Sequence, residues 1–378
     1  MLDWEGLRRA EFGEVTRRWA FLDHAAVSPL PKRAADGVRE YADRQQMNGV
    51  LEAGEWERTI AAARGSARAL IAAEDGEVAL TTSTTAGVNI IAEGFPWQAG
   101  DVVVTASDEY PANVYPWMNL RDRGVETRVV PSRDGRVAIE DIEAELKRGA
   151  RLLALSHVEF ATGYRNDLDA LAALCVEHGA AFFVDAIQGL GALRIDVSKT
   201  PIDFLATGGQ KWLLSPEGSG FLYIKKSWIE RLRAVGVGSR SVTTSFNEPL
   251  GEMLLKRDAT RCEGGAYATA SLIGFARSLL LFQNIGFDVA SERILERAEA
   301  VRMRATSAGW SLYGPKTPVE ESGIVVLERA GVEPNNVVAR ARHSGVIISS
   351  RRGRLRVSPH MYTSDDDLDR LASVLRSV

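Results

Sequence analysis

The 378-residue chain has only two cysteines, Cys175 and Cys262, too few for a disulfide framework. It has no apolar run near the roughly 18 residues that a membrane helix needs. Its net charge of −4 lacks the basic surplus of a nucleic-acid binder. The opening Met1-Leu-Asp-Trp-Glu places acids where a signal peptide has a basic region. His24, His157, His178, His343 and His360 show no metal-ligand spacing with the cysteines, so no metal site is expected. Gly189-Leu-Gly191 begins a dinucleotide-type turn, but Arg194 stands where the third glycine belongs. These absences leave a cytoplasmic protein without nucleic-acid or membrane partners as the expectation.

What is present suits a large globular core: 45% hydrophobic and 25% charged residues, at a length that favours two lobes. From about 77 to 226, short apolar runs alternate with helical patterns. Strands are expected at Val78-Thr82, Asp101-Ala106, Glu126-Val130, Leu152-His157, Ala181-Asp185, Asp203-Thr207 and Gly220-Lys225. Helices are expected at 32–48, 55–73, 85–94, Ile139-Lys147 and Leu168-His178. Such alternation implies an α/β fold with a mostly parallel sheet between helices. Residues 269–306 read as one or two long helices. Beyond Gly314-Pro315 a smaller α+β pattern follows: strand Gly323-Leu327, helix Asn335-His343, strands Val346-Ser349 and Leu355-Ser358, and a last helix capped at Ser364. The boundaries expected are a large domain at 24–262, then a connecting helix and small domain at 263–378 completed by 1–23.

In parallel sheets the ligand crevice lies beyond the carboxyl ends of the strands, and the chemically informative residues fall there. One strand delivers Asp185, with Gln188 after it; the next ends in Thr207-Gly-Gly-Gln210-Lys211. A lysine amine and an acid so placed meet the needs of pyridoxal 5′-phosphate (PLP): an imine to the lysine, and a carboxylate that keeps the pyridine nitrogen protonated. Gln188 can donate to the phenolate oxygen of PLP. Ser83-Thr84-Thr85 forms a hydroxyl-rich turn opening a helix, where free N–H groups favour phosphate. Tyr110 can stack on a pyridine ring, and Asn113 follows it in the same loop. Arg354 and Arg356 share one face of a short strand, where a guanidinium can grip a carboxylate.

With these residues placed, the chain resembles the class V aminotransferases, fold-type I PLP enzymes that include cysteine desulfurases, kynureninases and isopenicillin-N epimerase-like proteins. The likeness runs from Phe21-Leu-Asp-His24 to about Leu371. It is carried by Thr84-Thr-Ala-Gly-Val-Asn89, Glu109-Tyr-Pro-Ala-Asn-Val-Tyr-Pro-Trp117, Ser156-His-Val-Glu-Phe-Ala-Thr-Gly163, Val184-Asp-Ala-Ile-Gln188, Gly208-Gly-Gln-Lys211 and Arg356-Val-Ser. The resemblance implies a seven-stranded sheet and a homodimer with active sites at the interface. It also implies Lys211 as Schiff-base lysine and Asp185 at the ring nitrogen. Thr84, Thr85 and Gln210 would hold phosphate, with Thr207 and Tyr110 further cofactor contacts, and Arg356 would hold a substrate carboxylate. His24, Asn113, Tyr164, Arg165 and His360 are candidates for the substrate side.

Three departures shape the functional expectation. Ile348-Ser-Ser-Arg-Arg-Gly-Arg354 occupies the place where cysteine desulfurases carry a reactive cysteine on a loop, and has no cysteine. Phe160 stands where many relatives have asparagine. Arg261-Cys-Glu-Gly-Gly265-Ala266-Tyr267 replaces a Gly-Thr-Pro segment that in relatives reaches the partner subunit's phosphate. The implied activity is Cα deprotonation of a small amino acid by a transaminase or a β-eliminating lyase. A racemase or epimerase is the alternative, and a non-catalytic binding protein the alternative of another class.

Overall fold

The computed structural model describes residues 2–244 and 251–378. Seven strands form the central sheet: β1 Val78–Thr81, β2 Val102–Ala106, β3 Glu126–Val130, β4 Leu152–Ser156, β5 Ala181–Asp185, β6 Phe204–Gly208 and β7 Gly220–Ile224. Their spatial order is β1-β7-β6-β5-β4-β2-β3. Strands β2 to β6 pair in parallel, whereas β7 runs antiparallel to both neighbours, β1 and β6. All seven expected strands are therefore present within a residue or two.

Strand alternation divides the core into two layers. Leu153, Leu155, Phe182 and Val184 pack on one face; Leu152, Ala154, Ala181 and Phe183 pack on the other. Because helices cover both faces, β4, β5 and β6 are buried throughout and read as unbroken apolar runs. The expected helices at Lys32–Asn48, Ile139–Lys147 and Leu168–His178 match residue for residue. The stretch after 269 resolves into two helices, Thr269–Ile285 and Phe287–Ser307, bent by 87°. Gly286, at φ 91°, makes that break, a conformation that L side chains rarely adopt. Among the described residues, no single helix is long and apolar enough to cross a membrane.

The C-terminal elements build a second core around a four-stranded sheet. Its strands are β8 Ser311–Leu312, β9 Val325–Glu328, β10 Ser349–Arg351 and β11 Arg354–Val357. The N-terminal segment joins this region, since Ala20–Phe21 pairs in parallel with Val346–Ile347. The single strand expected over Val346–Ser349 is instead two, with Val346–Ile347 joining the N-terminal segment and β10 joining β11. Ser364 caps the last helix in a reciprocal box with Asp367, as its sequence leads one to expect.

One turn matters for the site. Strands β10 and β11 are joined by Arg352-Gly353 alone, both with positive φ (48° and 74°). A two-residue turn of this handedness matches the twist of a hairpin and fixes its register. Ser349 thereby faces Arg356, and Arg351 faces Arg354.

Candidate active site

A cavity of about 380 Å³ opens beyond the carboxyl ends of β5 and β6. Thr84, Thr85, Tyr110, Asp185, Gln188, Gln210, Lys211 and Arg356 all line it, from segments far apart in the chain.

Asp185 ends β5 and is buried, with Oδ1 accepting the Ile187 N–H at 3.0 Å. Burial raises its carboxyl to about 6, against the pull of that hydrogen bond and of Lys211. Lys211 follows β6. Burial lowers its ammonium to about 8, with Asp185 working in the opposite direction. Its Nζ lies 5.6 Å from the centre of the Tyr110 ring. Tyr110 in turn meets Phe160 edge to face, ring centres 5.2 Å apart. Gly209 before Lys211 is there for close approach: a Cβ on it would sit 2.8 Å from the Ser215 Cβ.

At the other end of the cavity, Ser83 caps the helix Thr84–Gly94 by accepting the Ala86 N–H at 3.1 Å. The Thr84 hydroxyl beside it is buried and has no partner among the described residues. Gln188 Nε2 donates to the Ala25 carbonyl at 3.0 Å, and its Oε1 accepts from the Trp212 indole at 3.1 Å. That fixes the amide orientation and leaves one N–H free.

Arg356 is 1% exposed. It donates to Asp23 Oδ1 at 3.2 Å and to the Phe160 carbonyl at 3.1 Å, while its Nε–H has no acceptor among the described residues. Asp23 also accepts from Ser349 at 2.8 Å, across the hairpin register described above. Burial pushes Arg356 down to about 10 and Asp23 upward. Desolvation thus costs this pair more than its single contact returns, and a further anion would suit the guanidinium.

Six expectations for individual residues are corrected. Asn113 does not face the cavity: its neighbour Ala112 does, while Asn113 is buried between Glu109 (3.0 Å) and the Trp117 indole (3.2 Å). His24 lies behind Ala25, Ala26 and Val27, held by Tyr362 (2.8 Å) and the Ser358 carbonyl (2.9 Å). His360 is buried too, with Nε2 on the Trp212 carbonyl. Thr207 sits inside β6, its hydroxyl donating to the Gly208 carbonyl at 3.2 Å; only the residues past the strand end reach the cavity. Tyr164 and Arg165 line a separate cavity of about 990 Å³.

Sequence reasoning missed Glu217 and Arg351, which also line the site. The Arg-Gly turn was the available signal for Arg351. It also missed two buried acids at the β4 end. Glu109 accepts from Ser156 Oγ at 2.6 Å and is pushed up to about 8, by burial above all. Glu159 is raised well above the carboxylate range for the same reason.

The residues fit PLP. An orphaned hydroxyl waits at a helix start, a buried lysine lines the same cavity, and a strand-end acid keeps one oxygen unbonded among the described residues. The fold and site define a fold-type I PLP enzyme. More particularly, the model for aminotransferase class-V matches residues 20–374, and the chain belongs to that family. A probable cysteine desulfurase of Pyrococcus abyssi is 27% identical over 392 residues, covering 96% of this chain and 95% of the relative. The apo cysteine desulfurase of Thermococcus onnurineus NA1 superposes with a TM-score of 0.88 at 23% identity, covering 100% of this chain and 98% of the other. A C-DES mutant with glycine covalently linked to the PLP cofactor gives 0.90 at 21% identity, covering 98% of both chains. The cofactor is PLP, and the enzyme is of transaminase or lyase type.

Proposed function

We propose that this enzyme binds a small amino acid at Arg356 and moves its Cα proton with Lys211, ending in transamination or β-elimination. The observation that carries the reading is the convergence of Lys211, Asp185 and Arg356 on one cavity.

When bound, PLP supplies a protonated ring that takes up the electrons left by a departing Cα proton. Thr84, Thr85, Gln210 and the first N–H groups of the helix Thr84–Gly94 would hold the phosphate. Asp185, with a value of about 6, would be ionised at neutral pH and would pair with the ring nitrogen. Gln188 would offer its free N–H to the phenolate oxygen, with Tyr110 as a further cofactor contact. Lys211, at about 8, keeps a neutral fraction near pH 7 large enough for general base work. Arg356 supplies the buried fork for the substrate carboxylate, with Asp23 and Ser349 fixing its orientation.

A persulfide on an enzyme cysteine has no place in this reading. Cys175 is buried in the helix Leu168–His178, and burial drives its thiol far up. Cys262, pushed up to about 11, packs against the sheet layer of Phe183 and Val103. Neither lines the cavity. Assembly as a homodimer is part of the proposal: Tyr110 at the mouth is 48% exposed, and Gly265 and Ala266 stand free. Tyr267 is committed within its own chain, its hydroxyl bonded to Glu263 and to Arg64 at 3.0 Å.

Product analysis over a panel of amino acids tests the reaction. A 2-oxo acid released only with an added 2-oxo acid acceptor marks a transaminase; release without acceptor marks a lyase. Substrate racemised with no 2-oxo acid in either condition would overturn both.

A further inference from the structure

The run Arg351-Arg352-Gly-Arg354-Leu-Arg356 holds four guanidinium groups in six residues. Three are matched by acids. Arg352 pairs with Asp108, Arg354 with Glu328 at 2.7 Å, and Arg356 with Asp23 at 3.2 Å. Arg354 is further occupied by the Tyr313 ring, 3.5 Å away, which takes it out of the site. Arg351 alone has no carboxylate partner among the described residues. Its Nη1 donates only to the carbonyl of Ser350 at 2.7 Å, and the residue is half-buried. Yet Arg351, not Arg352 or Arg354, lines the cavity with Lys211 and Arg356.

Its position is built rather than loose. The two-residue turn at Arg352-Gly353 holds Arg351 in register, two residues from Ser349 and on the same face of the strand. Ser349 is bonded to Asp23, the partner of Arg356. A single hairpin therefore carries both cavity arginines, one per strand. A guanidinium that faces a cavity without a carboxylate partner keeps N–H donors open for an anionic ligand.

We propose that the substrate is an amino acid with a second acidic group, whose α-carboxylate lies at Arg356 and whose side-chain anion lies at Arg351. This rests on the functional reading above and narrows its substrate class. Uncharged side chains would leave Arg351 without its anion, so the site selects by charge at the distal end. Selection arises because one interaction is present for acidic ligands and missing for their neutral amides.

Rapid-mixing absorbance of the PLP-loaded enzyme reports amino-acid binding before turnover. L-aspartate and L-glutamate should bind more tightly than L-asparagine and L-glutamine. Arg351→Gln should weaken the acids by roughly tenfold to a hundredfold, the loss of a bond to a charged group, and leave the amides unchanged. Unchanged amide binding also reports an intact fold. Arg351→Lys should recover part of the preference, because it keeps the charge and loses the planar fork. Amides binding as tightly as acids in the unmodified enzyme would overturn the proposal, as would equal weakening of both series in Arg351→Gln. Either result leaves the wider functional reading standing. Failure of every amino acid to perturb the cofactor absorbance would overturn both.

Discussion

At the residue scale, the site works through groups that burial has moved away from their ordinary charge states. Lys211 is an example: the desolvation that lowers its ammonium is what makes it a usable base near neutral pH. Lys211→Ala should therefore abolish both covalent cofactor attachment and turnover. Borohydride reduction followed by peptide mapping checks the assignment, and label on Lys199 or Lys225 would contradict it. The neighbouring acid makes a separable prediction. Asp185→Ala should leave phosphate binding at Thr84 and Thr85 in place while turnover drops by orders of magnitude, since the ring loses its anion. Near-normal activity in that variant would assign Asp185 a purely structural role. The arginines should divide likewise. Arg356→Ala should weaken substrate binding by about 1.5–3 kcal/mol for each charge-assisted bond lost. Arg354→Ala should have little effect on KM, because that side chain is spent on Glu328 and Tyr313. A larger loss at Arg354 would reverse the assignment.

At the scale of elements, the legible parts were those where one signal dominates. Ala181-Phe-Phe-Val184 before Asp185 reads as a buried strand ending in an acid because a doubly covered sheet needs apolar side chains on both faces. Lys211 was legible through the pair Gly208-Gly209, of which Gly209 packs too closely against Ser215 and Ser219 for a side chain. His24 and Asn113 were misread because polar residues beside a site look the same in sequence whether they face it or brace it. Here both brace it from behind, with every ring nitrogen or amide atom of the contact satisfied by buried neighbours. Of the β10-β11 hairpin, β11 was legible as Leu355-Ser358, whereas β10 was merged with Val346–Ile347 because it is short and polar, so apolar alternation does not mark it. Its turn is testable. Gly353→Val places a β-branched residue at φ 74°, which costs about 1–3 kcal/mol where backbone strain is forced. We expect a lower melting temperature together with a raised KM, because Arg351 and Arg356 depend on that register. An unchanged KM beside the lowered melting temperature would show that the hairpin carries stability alone.

At the scale of the whole molecule, the site concentrates buried acids, and that has a consequence for stability. Asp185, Glu109 and Glu159 cluster where β4 and β5 end, and each is raised by burial. A carboxyl raised in the folded state binds its proton there at pH values where the unfolded chain has already released it. Stability then falls as pH rises through that interval. For Asp185 the interval runs from the ordinary 3.8 to about 6, and for Glu109 from 4.5 to about 8. Lys211, lowered from 10.5 to about 8, acts with the opposite sign and only above about pH 8, where stability should recover as pH rises further. Buried His24, His157 and His360, held below their ordinary 6.5, oppose this trend up to about pH 6.5. The cofactor-free enzyme should thus lose stability between about pH 6.5 and 8, against the common pattern in which paired carboxylates favour neutral pH. Glu109→Gln removes one titrating group while keeping the side-chain size, so its denaturation midpoint should depend less on pH over the same interval. Urea unfolding of the two proteins at several pH values makes the comparison directly. Parallel pH profiles would mean that Glu109 stays ionised in its contacts with Ser156 and Asn113, and that the acid cluster does not carry the pH dependence.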